Sequence, residues 1–200
     1  MGKIKVTECP IQGLYIIEPH VIGDDRGYFF EAFNQRDLED AGLRFNFVQE
    51  NQSLSSKGAI RGLHFQKQYP QAKLARVLRG SVFDVAVDLR SSSSTYGQWY
   101  GVELSEENKK MLLVPAGFAH GLLSLTDGAV FSYKCNDFYH PGDEGGIAWN
   151  DPAVGIQWPD IVGDYSGTAS AEGYRMSDGS PLILSEKDQK WRPLSETFKF

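Results

Sequence analysis

Apolar residues recur along much of the chain with a period of two. Over residues 81–90, Phe83, Val85, Val87 and Leu89 fall on one face and Val82, Asp84, Ala86 and Asp88 on the other. Such alternation predicts a half-buried strand with one apolar face and one mixed face. Similar short runs recur at 14–18, 28–33, 45–52, 59–66, 73–78, 98–104, 110–114, 117–125 and 130–136. Turn signals separate many of them, among them Asp24-Asp25-Arg26-Gly27, Lys57-Gly58, Arg79-Gly80 and Asp127-Gly128. Helical periodicity is scarce. Asn34 is placed to cap a short helix that ends at Gly42, and residues 185–190 fit another short turn. Many short, regularly spaced strands with few helices predict an all-β sandwich or jelly roll.

The 200 residues fit one domain. The 164–180 stretch, rich in Gly, Ser and Asp, reads as a surface insertion within it. Twenty-six acidic against twenty basic residues leave a net charge of −6. That balance disfavours general binding to nucleic acid or an anionic membrane, yet it leaves room for a local basic pocket. Cys9 and Cys135 form no metal-knuckle or disulfide pattern. No apolar run approaches the ~20 residues of a membrane span. The opening stretch lacks the apolar segment of a secretory leader, so a cytoplasmic protein is expected.

Two histidines offer chemistry. His64 and His120 each follow a glycine-bearing turn on a strand-like run, within Gly58-x5-His64 and Pro115-Ala116-Gly117-Phe118-Ala119-His120. These resemble the two halves of the cupin signature. That signature supplies further ligands where this chain has Gln66 and Ser124. Two imidazoles without a carboxylate make a poor metal site, so no metal is expected. Arg26, Arg61, Lys73, Arg76 and Lys187 could serve phosphate oxygens. Phe29 and Tyr139 could stack on a base, and Gln49 and Asn51 could read its edge. Tyr133 and Tyr139, six residues apart, share a face if one strand carries both. Asp188 closes Ser185-Glu186-Lys187-Asp188, a capping-box pattern that competes with any catalytic role.

Beyond these separate features, the chain resembles one family along nearly its whole length. The carriers are Gly23-Asp24-Asp25-Arg26-Gly27-Tyr28-Phe29-Phe30-Glu31, Phe47-Val48-Gln49-Glu50-Asn51, Arg61-Gly62-Leu63-His64-Phe65-Gln66, Phe83-Asp84-Val85-Ala86-Val87-Asp88, Pro115-Ala116-Gly117-Phe118-Ala119-His120-Gly121, Trp149-Asn150-Asp151 and Leu184-Ser185-Glu186-Lys187-Asp188. In this order they are similar to the dTDP-4-dehydrorhamnose 3,5-epimerases, metal-independent cupins of nucleotide-sugar biosynthesis. The resemblance implies a cupin-type double-stranded β-helix, or jelly roll, with a few short peripheral helices. It implies inversion of C3 and C5 of dTDP-4-keto-6-deoxy-D-glucose without a cofactor, in dTDP-L-rhamnose biosynthesis. The alternatives are a single-carbon epimerase on a related sugar and, further off, a metal-dependent cupin isomerase or oxygenase.

Residue by residue, the resemblance makes His64 the base, Asp188 its orienting carboxylate, Tyr133 the acid on the opposite side and Lys73 the cation near the C4 oxygen. Arg26, Phe29, Glu31, Gln49, Asn51, Arg61, His120, Glu144 and Lys187 would contact the nucleotide sugar. Tyr139 would stack on thymine. A homodimer is implied, with some of these residues reaching across to the neighbouring subunit. Strict alternation sets Arg61 and His64 on opposite strand faces. Either Gly62 marks a bulge or Arg61 serves another subunit's site.

Overall fold

The computed structural model describes residues 4–164 and 167–200. Residues 1–3, part of the stretch read for targeting, and 165–166, part of the 164–180 insertion, lie outside the described residues. The strands are β1 (Ile4–Glu8), β2 (Tyr15–Pro19), β3 (Ile22–Asp24), β4 (Gly27–Phe29), β5 (Gln49–Ser55), β6 (Ile60–Gln66), β7 (Lys73–Arg79) and β8 (Ser81–Asp88). They continue as β9 (Trp99–Ser105), β10 (Met111–Val114), β11 (Phe118–Ser124), β12 (Ala129–Cys135), β13 (Glu144–Gly146), β14 (Ile161–Val162) and β15 (Arg175–Met176). One α-helix, α1 (Gln35–Asp40), and two 3-10 turns, Asp188–Lys190 and Leu194–Glu196, complete the described elements.

Two antiparallel sheets make the body. One runs β1-β2-β10-β7-β12-β5 and the other β13-β6-β11-β8-β9. The period-two pattern is what stacks them. On β10, Leu112 and Val114 turn inward, joined by Ala75 and Val77 of β7 and Phe131 of β12. Facing them are Val82 and Ala86 of β8, Leu104 of β9 and Phe118 and Leu122 of β11. The alternate residues Leu74, Met111 and Leu113 pack outward with Leu38 of α1 and Leu43. This is the jelly-roll arrangement expected.

Some elements differ from the alternation. Strand β8 is buried on both faces, not half-buried. Its outer residues Val85 and Val87, with Leu89 just beyond the strand, are covered by Ile147, Val154 and Phe200 from the C-terminal part of the chain. The 28–33 run is strand only as far as Phe29, because Phe30 leaves the hairpin to pack beside α1. Likewise Phe45 and Phe47 join that cluster, and β5 begins only at Gln49. Helix α1 starts where expected. Asn34 Oδ1 accepts from the Arg36 and Asp37 N–H groups at 3.0 and 3.4 Å. Within 164–180, Ala169 and Met176 are buried against Trp149, so the segment is anchored by its apolar side chains. Among the described residues, no helix is long and apolar enough to cross a membrane.

Candidate active site

At one end the space between the sheets is polar and open. The six-stranded sheet sends Asn51, Lys73 and Tyr133 into it, and the five-stranded sheet sends Arg61, His64 and His120. The cleft has a volume of about 520 Å³ and is also lined by Tyr139, Glu144, Ser185, Lys187 and Asp188. An adjoining lobe of about 250 Å³ adds Gln49, Gln66 and Gln71. Eleven of the fourteen residues expected in the site thus come together: His64, Tyr133, Asp188, Lys73, Gln49, Asn51, Arg61, His120, Tyr139, Glu144 and Lys187.

A bulge brings Arg61 and His64 to the same cleft. His64 pairs with His120 and Arg61 with Leu122, so three steps along β6 match two along β11. Gly62 makes this possible. Its φ is +121°, and a Cβ there would lie 2.7 Å from the Gly121 Cα and 2.8 Å from the His120 carbonyl oxygen. Arg61 is then held by Ser55 Oγ at 2.9 Å and the Leu54 carbonyl at 3.1 Å.

His64 and Asp188 form a dyad. Asp188 Oδ1 lies 2.6 Å from His64 Nε2 and accepts at 3.2 Å from the Trp191 indole N–H. Asp188 is only 3 % exposed. Burial alone would raise its carboxyl pKa, but the His64 hydrogen bond and charge, with Ser185 and Trp191, outweigh that and hold it below the ordinary range. With Nε2–H donating to Asp188, the His64 lone pair resides on Nδ1. Nδ1 lies 3.8 Å from Glu144 Oε1, while the other Glu144 oxygen pairs with Lys187 Nζ at 2.7 Å. The capping reading of Ser185 also holds, since its hydroxyl accepts from the Asp188 N–H at 3.1 Å. The carboxylate itself, however, is directed at His64.

Lys73 is desolvated, which pushes its pKa down, and its electrostatic interactions with Cys135, Asp84 and Glu144 only partly counter this. Its Nζ sits 5.8 Å from the Tyr133 ring centre. Among the described residues no carboxylate forms an ion pair with it. Burial, and then the field of Cys135, raise the Tyr133 phenol, so it holds its proton. Strand β12 ends at Cys135, so the six-residue spacing does not place Tyr133 and Tyr139 on one strand. Tyr139 enters the cleft from the following loop instead.

Arg26, Phe29 and Glu31 do not line this cleft. Arg26 and Phe29 belong to the β3–β4 hairpin, a separate two-stranded sheet. Arg26 pairs with Asp24 and its side chain is 90 % exposed, and Phe29 is 67 % exposed. Glu31 accepts from Asn34 Nδ2 at 3.3 Å, at the start of α1.

Two contributors escaped the sequence reading. Asp84, buried on the inner face of β8, lies 2.9 Å from His120 Nε2. An aspartate between inward Val82 and Ala86 was the available signal. Trp191 orients Asp188 and meets the His64 ring edge-on at 5.9 Å, and no motif marked it. The cupin metal positions do not suit a metal here. His64 and His120 each spend Nε2 on an aspartate, and Gln66 spends its amide on backbone groups. Among the described residues, no three His, Cys, Asp or Glu are grouped to hold a metal ion.

The family model for dTDP-4-dehydrorhamnose 3,5-epimerase matches residues 8–196. The dTDP-4-dehydrorhamnose 3,5-epimerase of Methanothermobacter thermautotrophicus is 47% identical over 197 residues, covering 98% of this chain and 97% of its own. That of Escherichia coli K12 is 45% identical, with coverage of 98% and 97%. Among solved structures, the dTDP-6-deoxy-D-glucose-3,5-epimerase of Legionella pneumophila Philadelphia 1, in complex with dTDP-4-keto-L-rhamnose, superposes with a TM-score of 0.85. It is 43% identical, and the match covers 96% of this chain and 94% of that one. With sequence, fold and site geometry in agreement, this chain belongs to the dTDP-4-dehydrorhamnose 3,5-epimerase family.

Proposed function

We propose that this enzyme inverts C3 and C5 of dTDP-4-keto-6-deoxy-D-glucose to give dTDP-4-keto-L-rhamnose, through enolates and without a cofactor. One observation carries the reading. His64 and Tyr133 project from opposite sheets into one cleft. Inverting a carbon alpha to a ketone means taking a proton from one ring face and returning one to the other, which requires a base and an acid on opposite sides.

His64 Nδ1 takes the proton, and Asp188 fixes the tautomer and stabilises the imidazolium that forms. The alpha proton is on the order of a dozen pK units less acidic than imidazolium, so unaided transfer is uphill by well over ~10 kcal/mol. Lys73 meets that cost by placing its ammonium at the developing enolate oxygen, in a site where water screens it little. Tyr133 then delivers its proton from the far face. Arg61 and Lys187 supply charge for the diphosphate, and Tyr139, with Gln49 and Asn51, holds the base. Diphosphate binding is remote from the reacting carbons and serves to orient the sugar.

Arg26, Phe29 and Glu31 enter this scheme through a second copy. The β3–β4 hairpin exposes Ile22, Tyr28 and Phe29. We place it over the cleft of a partner subunit in a homodimer. The two free thiols, Cys9 and Cys135, suit the reducing cytoplasm, where we place the enzyme.

The direct test is incubation with dTDP-4-keto-6-deoxy-D-glucose and NMR identification of the product. An L-lyxo product supports the double inversion, inversion of one carbon selects the single-carbon reading, and unchanged sugar contradicts both. The Tyr133→Phe variant separates the two half-reactions. Proton abstraction, seen as loss of substrate deuterium to solvent, is expected to persist, while completed inversion falls about 10²-fold or more. Equal small effects on both would remove Tyr133 from the mechanism.

Asp188→Asn tests the dyad against the capping role. A drop of about 10²–10⁴ in kcat is expected from the loss of tautomer control. Because the folded carboxyl pKa lies below its unfolded value, Asp188 contributes stability above the unfolded pKa, and that contribution fades as pH falls through the folded one. The variant should therefore be less sensitive to acid denaturation than the parent. A loss confined to melting temperature, with kcat unchanged, would assign Asp188 to the turn alone.

A further inference from the structure

Gln66 occupies the cupin position of a metal-binding histidine, yet its amide serves a different end. It is 4 % exposed and lies on β6 two residues beyond His64. Its Nε2 donates to the Phe138 carbonyl at 3.1 Å and to the Tyr69 carbonyl at 2.8 Å, and its Oε1 accepts from the His140 N–H at 2.6 Å. Phe138 C=O and His140 N–H lie on either side of Tyr139. The N–H of Tyr139 itself donates to Gln49 Oε1 at 3.0 Å. The backbone around Tyr139 is therefore pinned by two glutamines, although its ring is 51 % exposed at the mouth of the cleft. The Tyr69 ring stacks on His140 at 3.8 Å with 14° between the planes, which joins the 67–72 loop to the same unit.

We propose that Gln66 is a positioning residue that locks the Tyr139 loop to the strand carrying His64, and so sets the distance between the nucleobase end of the site and the base. This rests on the assignment of Tyr139 to the nucleobase. A loop on the surface is ordinarily mobile. An aromatic held before the ligand arrives saves the ordering entropy of capture. The two-donor, one-acceptor pattern matches a carboxamide. A carboxylate could accept from His140 but would face two carbonyl oxygens, and a thioether would satisfy none of the three groups.

The test compares Gln66→Met, Tyr139→Ala and the double variant. For Gln66→Met, KM for dTDP-4-keto-6-deoxy-D-glucose and Kd for dTDP are expected to rise about tenfold, with kcat within about threefold. The double variant should bind dTDP no more weakly than Tyr139→Ala alone, because both changes remove one unit. Full multiplication of the two effects, or an unchanged KM and Kd in Gln66→Met, would overturn the proposal. Amide hydrogen exchange supplies a readout independent of substrate. The His140 amide should exchange slowly in the parent and rapidly in Gln66→Met, and equal protection in both overturns the latch. Loss of protection alongside a parent that binds no dTDP would mark failure of the functional reading instead. Should Gln66→Met fail to fold, Gln66→Glu is expected to show the same split between KM and kcat.

Discussion

Replacing His64 with asparagine is expected to lower proton exchange at C3 and C5 by about 10³-fold or more, while dTDP binding stays within about threefold. The reason is the division of labour in the cleft. His64 projects into the cleft from β6 and is held by Asp188 at 2.6 Å. The cationic groups suited to the diphosphate are held independently of the imidazole: Arg61 by Ser55 and Leu54, and Lys187 by Glu144 Oε2, the oxygen that does not face His64. The asparagine amide reaches only to the level of Nδ1, so Asp188 loses its Nε2 partner, but the buried carboxylate keeps the Trp191 indole N–H at 3.2 Å. Deuterium exchange followed by NMR, with calorimetric titration of dTDP, checks both halves. Exchange at the parental rate would remove His64 as the base.

The second large effect falls on Lys73. Lys73→Met should reduce kcat by about 10²–10³-fold, the usual loss when a preorganised donor to a developing oxyanion is removed. Stability should not fall with it. A lysine whose folded pKa is depressed is held charged against its burial at neutral pH, so a methionine of similar shape relieves a cost. The same depression sets the alkaline side of the pH profile. The ammonium is present below its folded pKa and lost as pH rises through it, so kcat should decline at a pH below that of an ordinary lysine. Tyr133, shifted the other way, still carries its proton there. Lys73→Arg, if it turns over, should remove that decline. An alkaline limb unchanged in Lys73→Arg would assign the limb to another group.

Much of this was legible in the sequence because strands announce themselves by alternation. The runs at 59–66, 73–78, 81–90, 117–125 and 130–136 correspond to β6, β7, β8, β11 and β12; all but β8 line the cleft, and β8 backs it with Asp84 against His120. Strand β13, with the sequence Glu-Gly-Gly, has too little side chain to show a period, although it carries Glu144 into the site. Alternation also fails at Gly62. One inserted residue reverses the faces, and only the register with β11 reveals that Arg61 and His64 share a cleft. The partnership of His64 with Asp188 spans 124 positions. No local pattern encodes such a contact, so it was legible only through family resemblance. The His120–Asp84 pair and the role of Gln66 were hidden for the same reason: their partners are distant in the chain or are backbone groups.

The proposed activity requires proton transfer at two carbons of one ring. NMR of the chelator-treated protein with dTDP-4-keto-6-deoxy-D-glucose in deuterated water tests it most directly. The geometry predicts deuterium at both C3 and C5, with the L-lyxo product accumulating. Substrate that binds in the cleft and gains no deuterium at either carbon would contradict it.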